Sequence, residues 1–215
     1  MEKMQHKQNL TNEIFRKLIH LSSIWVPLSL FFIPIGFMQA VFFTLALSLT
    51  LFDSLRISKK PVGQKIRKFL NIIKLNFIYR EHEINNLSGA TYMMISAALC
   101  SFIFDAEIFI ISFSILIISD TLAAIVGKSI GKRPIYNKTL EGSITFFISA
   151  LIISEVLYVF MLQKIGYSLT ILVIASAVTT LVELYSKKFK MDDNLSIPIS
   201  FGLILLIYKY FMHYN

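Results

Sequence analysis

The chain is predicted to fold as an all-α bundle of membrane-spanning helices, and three observations carry that expectation. Of its 215 residues 55% are hydrophobic and only 16% charged, a balance far outside the usual soluble range. The apolar residues gather into seven runs, near 18–35, 36–52, 87–104, 107–127, 142–163, 167–184 and 195–211, each approaching the ~20 residues that a helix needs to cross a bilayer. Nearly all the cations fall between alternate runs. With the N-terminus inside, 19 of the 21 Lys and Arg residues lie on the cytoplasmic face, leaving Lys164 and Lys209 outside; Lys and Arg concentrate on that side in membrane proteins. Seven spans with a cytoplasmic N-terminus and an outside C-terminus satisfy the rule, and little remains for a separate soluble domain. A single integral domain over 1–215 is expected, in a bacterial inner membrane or an organelle membrane.

A charged stretch up to Lys17 opens the chain and leads into the first apolar run without a small-x-small cleavage site, so it reads as a retained span. Glu13, Arg16, Lys17 and His20 are spaced by 3, 4 and 7 and share one helical stripe. Glu13 and Lys17 suit either a capped, anchored helix start or a site; His20, just inside the apolar run, wants a hydrogen-bond partner near the site. The second run ends in Asp53 and Arg56, an i, i+3 pair. Between Asp53 and Ser88, Val62, Ile66, Phe69, Leu70, Ile73 and Phe77 recur at helical spacing beside Lys65, Lys68 and Lys74. That is the pattern of one basic amphipathic helix, either lying on the inner leaflet or packed in the cytoplasm on the other loops. The third run holds Cys100, the lone cysteine, so neither a disulfide framework nor a Cys metal cluster is expected. The net charge of +8 needs no nucleic-acid partner, because loops facing anionic headgroups account for it.

The fourth run carries the densest chemistry. Asp120 stands in an apolar stretch, where a carboxylate costs a few kcal/mol or more without a partner or an aqueous cavity. Asp120, Ala123, Gly127 and Gly131 succeed one another at steps of three to four, giving either a small-residue packing face or a face that a ligand approaches closely. Lys128, Lys132, Arg133 and Lys138 arrive next, then Thr139, Glu141 and Gly142. Cations neutralise phosphate oxygens, and carboxylates hold the Mg²⁺ that bridges them. Gly127-Lys128-Ser129 resembles the end of a P-loop, but Leu122 stands where the earlier glycine is required. Glu155 in the fifth run has no evident role. Glu183 closes the sixth run, and Asp192, Asp193 and Asn194 open the seventh either as a helix cap or as Mg²⁺ ligands. Four distant segments thus bring acids and cations to one side of the bilayer.

Together the runs Glu13-x-x-Arg16-Lys17-x-x-His20, Leu87-Ser88-Gly89-Ala90-Thr91-Tyr92, Ser119-Asp120-x-x-Ala123-x-x-x-Gly127-x-x-x-Gly131-Lys132, Lys138-Thr139-x-Glu141-Gly142-Ser143, Glu183 and Asp192-Asp193-Asn194-Leu195-x-Ile197-Pro198 resemble the polyprenol kinase family, which includes dolichol, phytol and CTP-dependent diacylglycerol kinases. Phosphatidate cytidylyltransferases are similar over the Asp, Gly-x-x-x-Gly-Lys and Lys-Thr-x-Glu-Gly portion. They normally carry a further Lys-Asp pair and a His-Gly-Gly run; this chain has Asp192-Asp193-Asn194 and no His-Gly-Gly, which favours the kinases. The resemblance implies a membrane lipid kinase that moves the γ-phosphoryl group of CTP, or another nucleoside triphosphate, to a lipid alcohol with Mg²⁺. On this reading Asp120, with His20 and Arg16, forms the catalytic group, Asp120 serving as base or metal ligand. Lys128, Gly131, Lys132, Arg133, Lys138, Thr139 and Arg56 meet the nucleotide phosphates. Asp120, Glu141, Asp192, Asp193 and Asn194 are candidates for Mg²⁺. The active site would face the cytoplasm, and Gly127 and Gly131 would serve a homodimer as readily as an internal contact. A transporter or flippase in which Asp120, Glu155 and Glu183 relay protons or bind a substrate is the expectation from a different class.

Overall fold

Helices of apolar residues must satisfy their own backbone in lipid, and the computed structural model, which describes residues 15–72, 79, 81–162 and 167–214, is a helical bundle. A short helix, α1 (15–22), leads through a turn into α2 (Trp25–Ser29). The single span expected over 18–35 is therefore broken. Pro27 lies inside α2 and Pro34 precedes the next helix, and prolines interrupt a helical hydrogen-bond ladder. Then come α3 (Ile35–Ile57), α4 (Pro61–Ile72), α5 (Gly89–Ile103), α6 (Ala106–Ser114), α7 (Asp120–Ser129), α8 (Leu140–Leu157), α9 (Leu169–Tyr185) and α10 (Asp193–Tyr214). A tight hairpin of β1 (Pro134–Ile135) and β2 (Lys138–Thr139) joins α7 to α8. Tyr136 at its tip adopts a φ of 53°.

Among the described residues, four segments are long and apolar enough to cross a bilayer: Ile35–Ile57, Ala106–Ser129, Leu140–Met161 and Asp193–Met212. Two shorter apolar helices, α5 and α9, pack among them. The Ala106–Ser129 segment is the buried axis, 78% of it enclosed, whereas α3 is only 17% enclosed. Along the shell, Phe37, Phe43, Leu47, Leu51 and Leu55 of α3 stay exposed, an apolar surface suited to acyl chains rather than to water. Inside, Phe42, Phe109 and Phe113 stack at centroid distances of 5.5 and 4.4 Å.

The axis is not a uniform helix. Residues Ile115–Ser119 wind as a single π-turn between α6 and α7, and such a bulge shifts the register of every residue after it. The first residue to be reoriented is Asp120. Helix α4 covers the first part of the predicted amphipathic segment; Ile73, Lys74 and Phe77 lie outside the described residues. It is fastened to the end of α3 by Arg67, which donates to the carbonyls of Arg56 (2.5 Å) and Ser58 (3.1 Å). Val62, Phe69 and Ile72 remain exposed, leaving an apolar stripe beside Lys65 and Lys68.

Candidate active site

The ends of α7, α8, α9 and α10 meet at one end of the bundle and enclose a cavity of about 360 Å³. Its walls mix cations with small residues. Lys17 comes from α1, Asp120 and Lys128 from α7, Lys138 from the hairpin, Glu183 from α9 and Asp193 from α10.

The small residues of α7 explain how that cavity is built. A Cβ on Gly127 would sit 2.8 Å from the Thr139 hydroxyl, and one on Gly142 would sit 2.9 Å from the Ala123 carbonyl. Glycine at both positions therefore lets α7 and the start of α8 approach backbone to backbone. Thr139 caps α8 by accepting from the Gly142 amide at 3.2 Å. Gly131 packs on Thr139 as well and is not on the cavity wall. Of the two uses open to this stripe, the internal packing face is realised for Gly127 and Gly131, while Ala123 and Gly127 also border the cavity.

Asp120 is buried and pairs with the Lys17 ammonium, which also donates to the Asp120 carbonyl at 3.2 Å. His20 Nε2 lies 3.9 Å from the Asp120 carboxylate and 3.3 Å from the Leu116 carbonyl; the tautomer with hydrogen on Nε2 donates to that carbonyl, which belongs to the π-turn. The stripe of α1 thus docks on the bulge of the central helix. Glu13 lies outside the described residues.

Lys138 bridges the other acids. Its ammonium pairs with Glu183 and, at 3.0 Å, with Asp193. Burial works against that charge, but Asp193, Glu183 and Asp120 outweigh it and hold the group above the ordinary lysine range. Asp120, Glu183 and Asp193 each offer a carboxylate oxygen, and the three oxygens lie within 4.8 Å of one another. Among the described residues, Glu183 Oε2, Asp193 Oδ1 and the Ser143 hydroxyl are buried without a hydrogen-bond partner. Buried carboxylate oxygens seldom stay unpaired. An all-oxygen donor set with unspent lone pairs is what a hard divalent cation requires, so these residues fit Mg²⁺.

The remaining predicted residues divide between this cavity and its surroundings. Arg16 borders the cavity. Lys132 and Arg133 are exposed and off its walls. Glu141 accepts from the Arg133 amide at 3.3 Å, holding the hairpin rather than joining the acids. Asp192 accepts from the amide and side chain of Asn194, at 3.0 and 2.8 Å, as a helix cap does. Asn194 itself borders a second cavity of about 220 Å³. Arg56 is a clamp: it donates to Asp53 (2.8 Å) and to the carbonyls of Glu83, Ile84 and Asn86 at 2.8–3.3 Å. Asp53 in turn accepts from the Ser88 amide and the Thr91 hydroxyl, both at 2.7 Å, which sets the start of α5.

Sequence reasoning missed Glu183 as a metal candidate and Lys17 as the partner of Asp120. The signal for Glu183 was available, since it is an isolated acid within an otherwise apolar run, like Asp120. Glu155 lies about 20 Å along α8 from Gly142 at 1.5 Å per residue and is no member of the cluster.

Residues 2–194 match the Cytidylyltransferase family. An uncharacterised protein of Rickettsia prowazekii is 39% identical over 203 residues, covering 92% of this chain and 95% of that one. An uncharacterised protein of Methanocaldococcus jannaschii is 35% identical over 135 residues, covering 61% and 63%. A probable chloroplastic phytol kinase of Glycine max is 26% identical over 155 residues, covering 65% of this chain and 53% of its own length. No solved structure matches.

Proposed function

The chain belongs to the Cytidylyltransferase family, and we propose that within it the protein is a membrane lipid kinase, moving the γ-phosphoryl group of CTP or another nucleoside triphosphate to a lipid alcohol. The observation that carries this reading is the convergence of Asp120, Glu183 and Asp193 in one cavity with Lys17, Lys128 and Lys138. Three acids for a cation, and ammonium groups at Lys128 and Lys138 for phosphate oxygens, are the parts phosphoryl transfer needs. The likeness to a probable phytol kinase, and Asp192-Asp193-Asn194 in place of a His-Gly-Gly run, support kinase over CDP-lipid synthesis. The cation pattern supports placing this end of the bundle in the cytoplasm.

Asp120, Glu183 and Asp193 would hold Mg²⁺, which when bound supplies positive charge to the triphosphate. Lys128 at the end of α7 and Lys138 on the hairpin neutralise phosphate oxygens, and the N-terminus of α8 adds its dipole. The acceptor hydroxyl forms the new bond to the γ-phosphorus, the bond to the bridging oxygen breaks, and the nucleoside diphosphate leaves. The hydroxyl proton passes to water. A loose transition state asks little of a base; Asp120 serves chiefly by placing the hydroxyl, and its pairing with Lys17 holds it in register.

The test is transfer in mixed micelles from γ-labelled CTP or ATP to diacylglycerol, phytol, geranylgeraniol or a polyprenol, with and without Mg²⁺. Label in a lipid supports the kinase. No labelled lipid, but CDP-lipid formed from phosphatidate and CTP, would replace it with cytidylyl transfer.

A further inference from the structure

The second cavity, of about 220 Å³, shares only Arg16, Lys17, Asp120 and Asp193 with the first. Its character is different. The first cavity is walled by charges and small residues, whereas Ile19, Leu49, Phe52, Ala90 and Met93 contribute to the second. Ile19 on α1 is 46% exposed and Phe52 on α3 is 40% exposed. Side chains that line a cavity and also face outward mark its rim, so the mouth lies between α1 and α3, on the apolar flank of the bundle. Phe52 sits one residue before Asp53, near the inner end of the span, at the depth where headgroups meet acyl chains.

Two acids behind that mouth are already committed. Asp53 is held by Arg56, Ser88 and Thr91, and Glu83 accepts from the Gly89 amide at 2.9 Å. Near the mouth a neutral ligand therefore meets acids that are already hydrogen-bonded, while Asp120 and Asp193 lie where this cavity joins the first. The route from the mouth ends at His20 and Asp120, where the carboxylate faces both cavities.

Resting on the kinase reading, we infer that the second cavity is the acceptor port: a primary alcohol on an apolar tail enters sideways from the bilayer between α1 and α3, hydroxyl first, and meets the triphosphate at Asp120. Donor and acceptor then approach from opposite sides of one carboxylate, the water-soluble reactant from the aqueous end and the greasy one from the lipid. Its hydroxyl oxygen becomes the bridging oxygen of the lipid phosphate, and the nucleoside diphosphate departs through the first cavity. Ile19, Leu49, Phe52 and Ala90 set which tails pass.

The experiment uses the full chain in bilayers containing diazirine-tagged geranylgeraniol or diazirine-tagged diacylglycerol, mapped after illumination by mass spectrometry. Steady-state kinetics of Ala90→Phe and Ile19→Trp run alongside, with thermal melting to confirm folding. The expected result is crosslinking within 15–23 and 49–52, with the acceptor KM raised at least tenfold in both variants and the nucleotide KM changed less than twofold. The tag that crosslinks better identifies the tail class. Crosslinks confined to other helices, or unchanged acceptor KM in folded variants, would overturn the port. Crosslinks in the port without phosphoryl transfer from any donor would keep the port as a lipid-alcohol site and overturn the kinase reading instead.

Discussion

Removing the charge of Asp120 separates what that residue does for the fold from what it does for chemistry. The Lys17 and Asp120 side chains are 7% and 12% exposed, so Asp120→Asn leaves an ammonium in a low-dielectric interior with only a neutral carbonyl to receive it. Breaking a buried pair by removing one partner costs about 3–5 kcal/mol, and the retained amide places this variant near the lower figure. For a chain of this size about 3 kcal/mol lowers the melting temperature by roughly 6–12 °C. Lys17→Met, which strands the carboxylate instead, should cost a similar amount. The double variant carries no uncompensated charge and should recover most of the loss, a coupling of about 2 kcal/mol or more. Activity should not recover with it, because the double variant still lacks the carboxylate; a drop of about 10²-fold or more is expected from losing one preorganised charge at the reacting centre. Melting in detergent and label transfer to lipid measure the two. Strict additivity of the single variants, or wild-type turnover in Asp120→Asn, would refute the reasoning.

The same geometry makes four further outcomes measurable. Gly127→Ala places a methyl group 2.8 Å from Thr139 Oγ1 and should cost about 1–3 kcal/mol by overpacking, read as a lower melting temperature. Arg56→Lys cannot reproduce a planar fork that serves Asp53 and three carbonyls, and about 2 kcal/mol of stability should go with it, together with acceptor turnover as the start of α5 loosens. Glu183→Gln and Asp193→Asn should each raise the Mg²⁺ concentration for half-maximal rate about tenfold or more, measured by titration of EDTA-treated protein. The Lys138 group is held above its ordinary value, so its stabilising contribution is fully present below the ordinary lysine pKa of about 10.4 and is lost only as pH rises through the raised value. Rate profiles from pH 7 to 9 should therefore show no inflection that Lys138→Met removes.

Legibility tracked the strength of the physical signal. Six of the seven apolar runs are found as helices with ends shifted by a few residues, because length and hydropathy are nearly sufficient in lipid. The first run failed where composition is blind to Pro27 and Pro34, which break the helix without making the stretch less apolar. Within the site, Asp120, Lys128, Lys138 and Asp193 were readable as charges within or beside the apolar runs. What sequence could not provide was direction. Glu141 and Asp192 are as acidic as Glu183, but one secures a hairpin and the other caps a helix, and that depends on a rotation of the helix by one or two residues. The π-turn at Ile115–Ser119 is such a rotation, and apolar periodicity inside a helix buried on every side carries no phase from which to read it. Lys17 was likewise placed on the correct stripe of α1, but its partner lies 103 residues away, beyond any local spacing rule.

One-sidedness supports the proposed group transfer over a relay built on the chain's intramembrane acids. A relay across the membrane needs titratable groups at successive depths, and Asp120, Glu155 and Glu183 are not so arranged: Asp120 and Glu183 share one cluster, while Glu155 stands about 20 Å along α8 from the cavity wall at Gly142. A group-transfer enzyme needs the reverse, with every charge at one depth and access from two directions at that depth. The two cavities meeting at Asp120 provide it, one walled by lysines and carboxylates and the other rimmed by Ile19 and Phe52. The small residues of α7 point the same way, since Gly127 and Gly142 bring the hairpin down onto the central helix and carry Lys138 to the acids. An alternating-access protein would want that contact to open; a kinase wants it closed and rigid, so that two reactants from different phases find the phosphate in the same place each time.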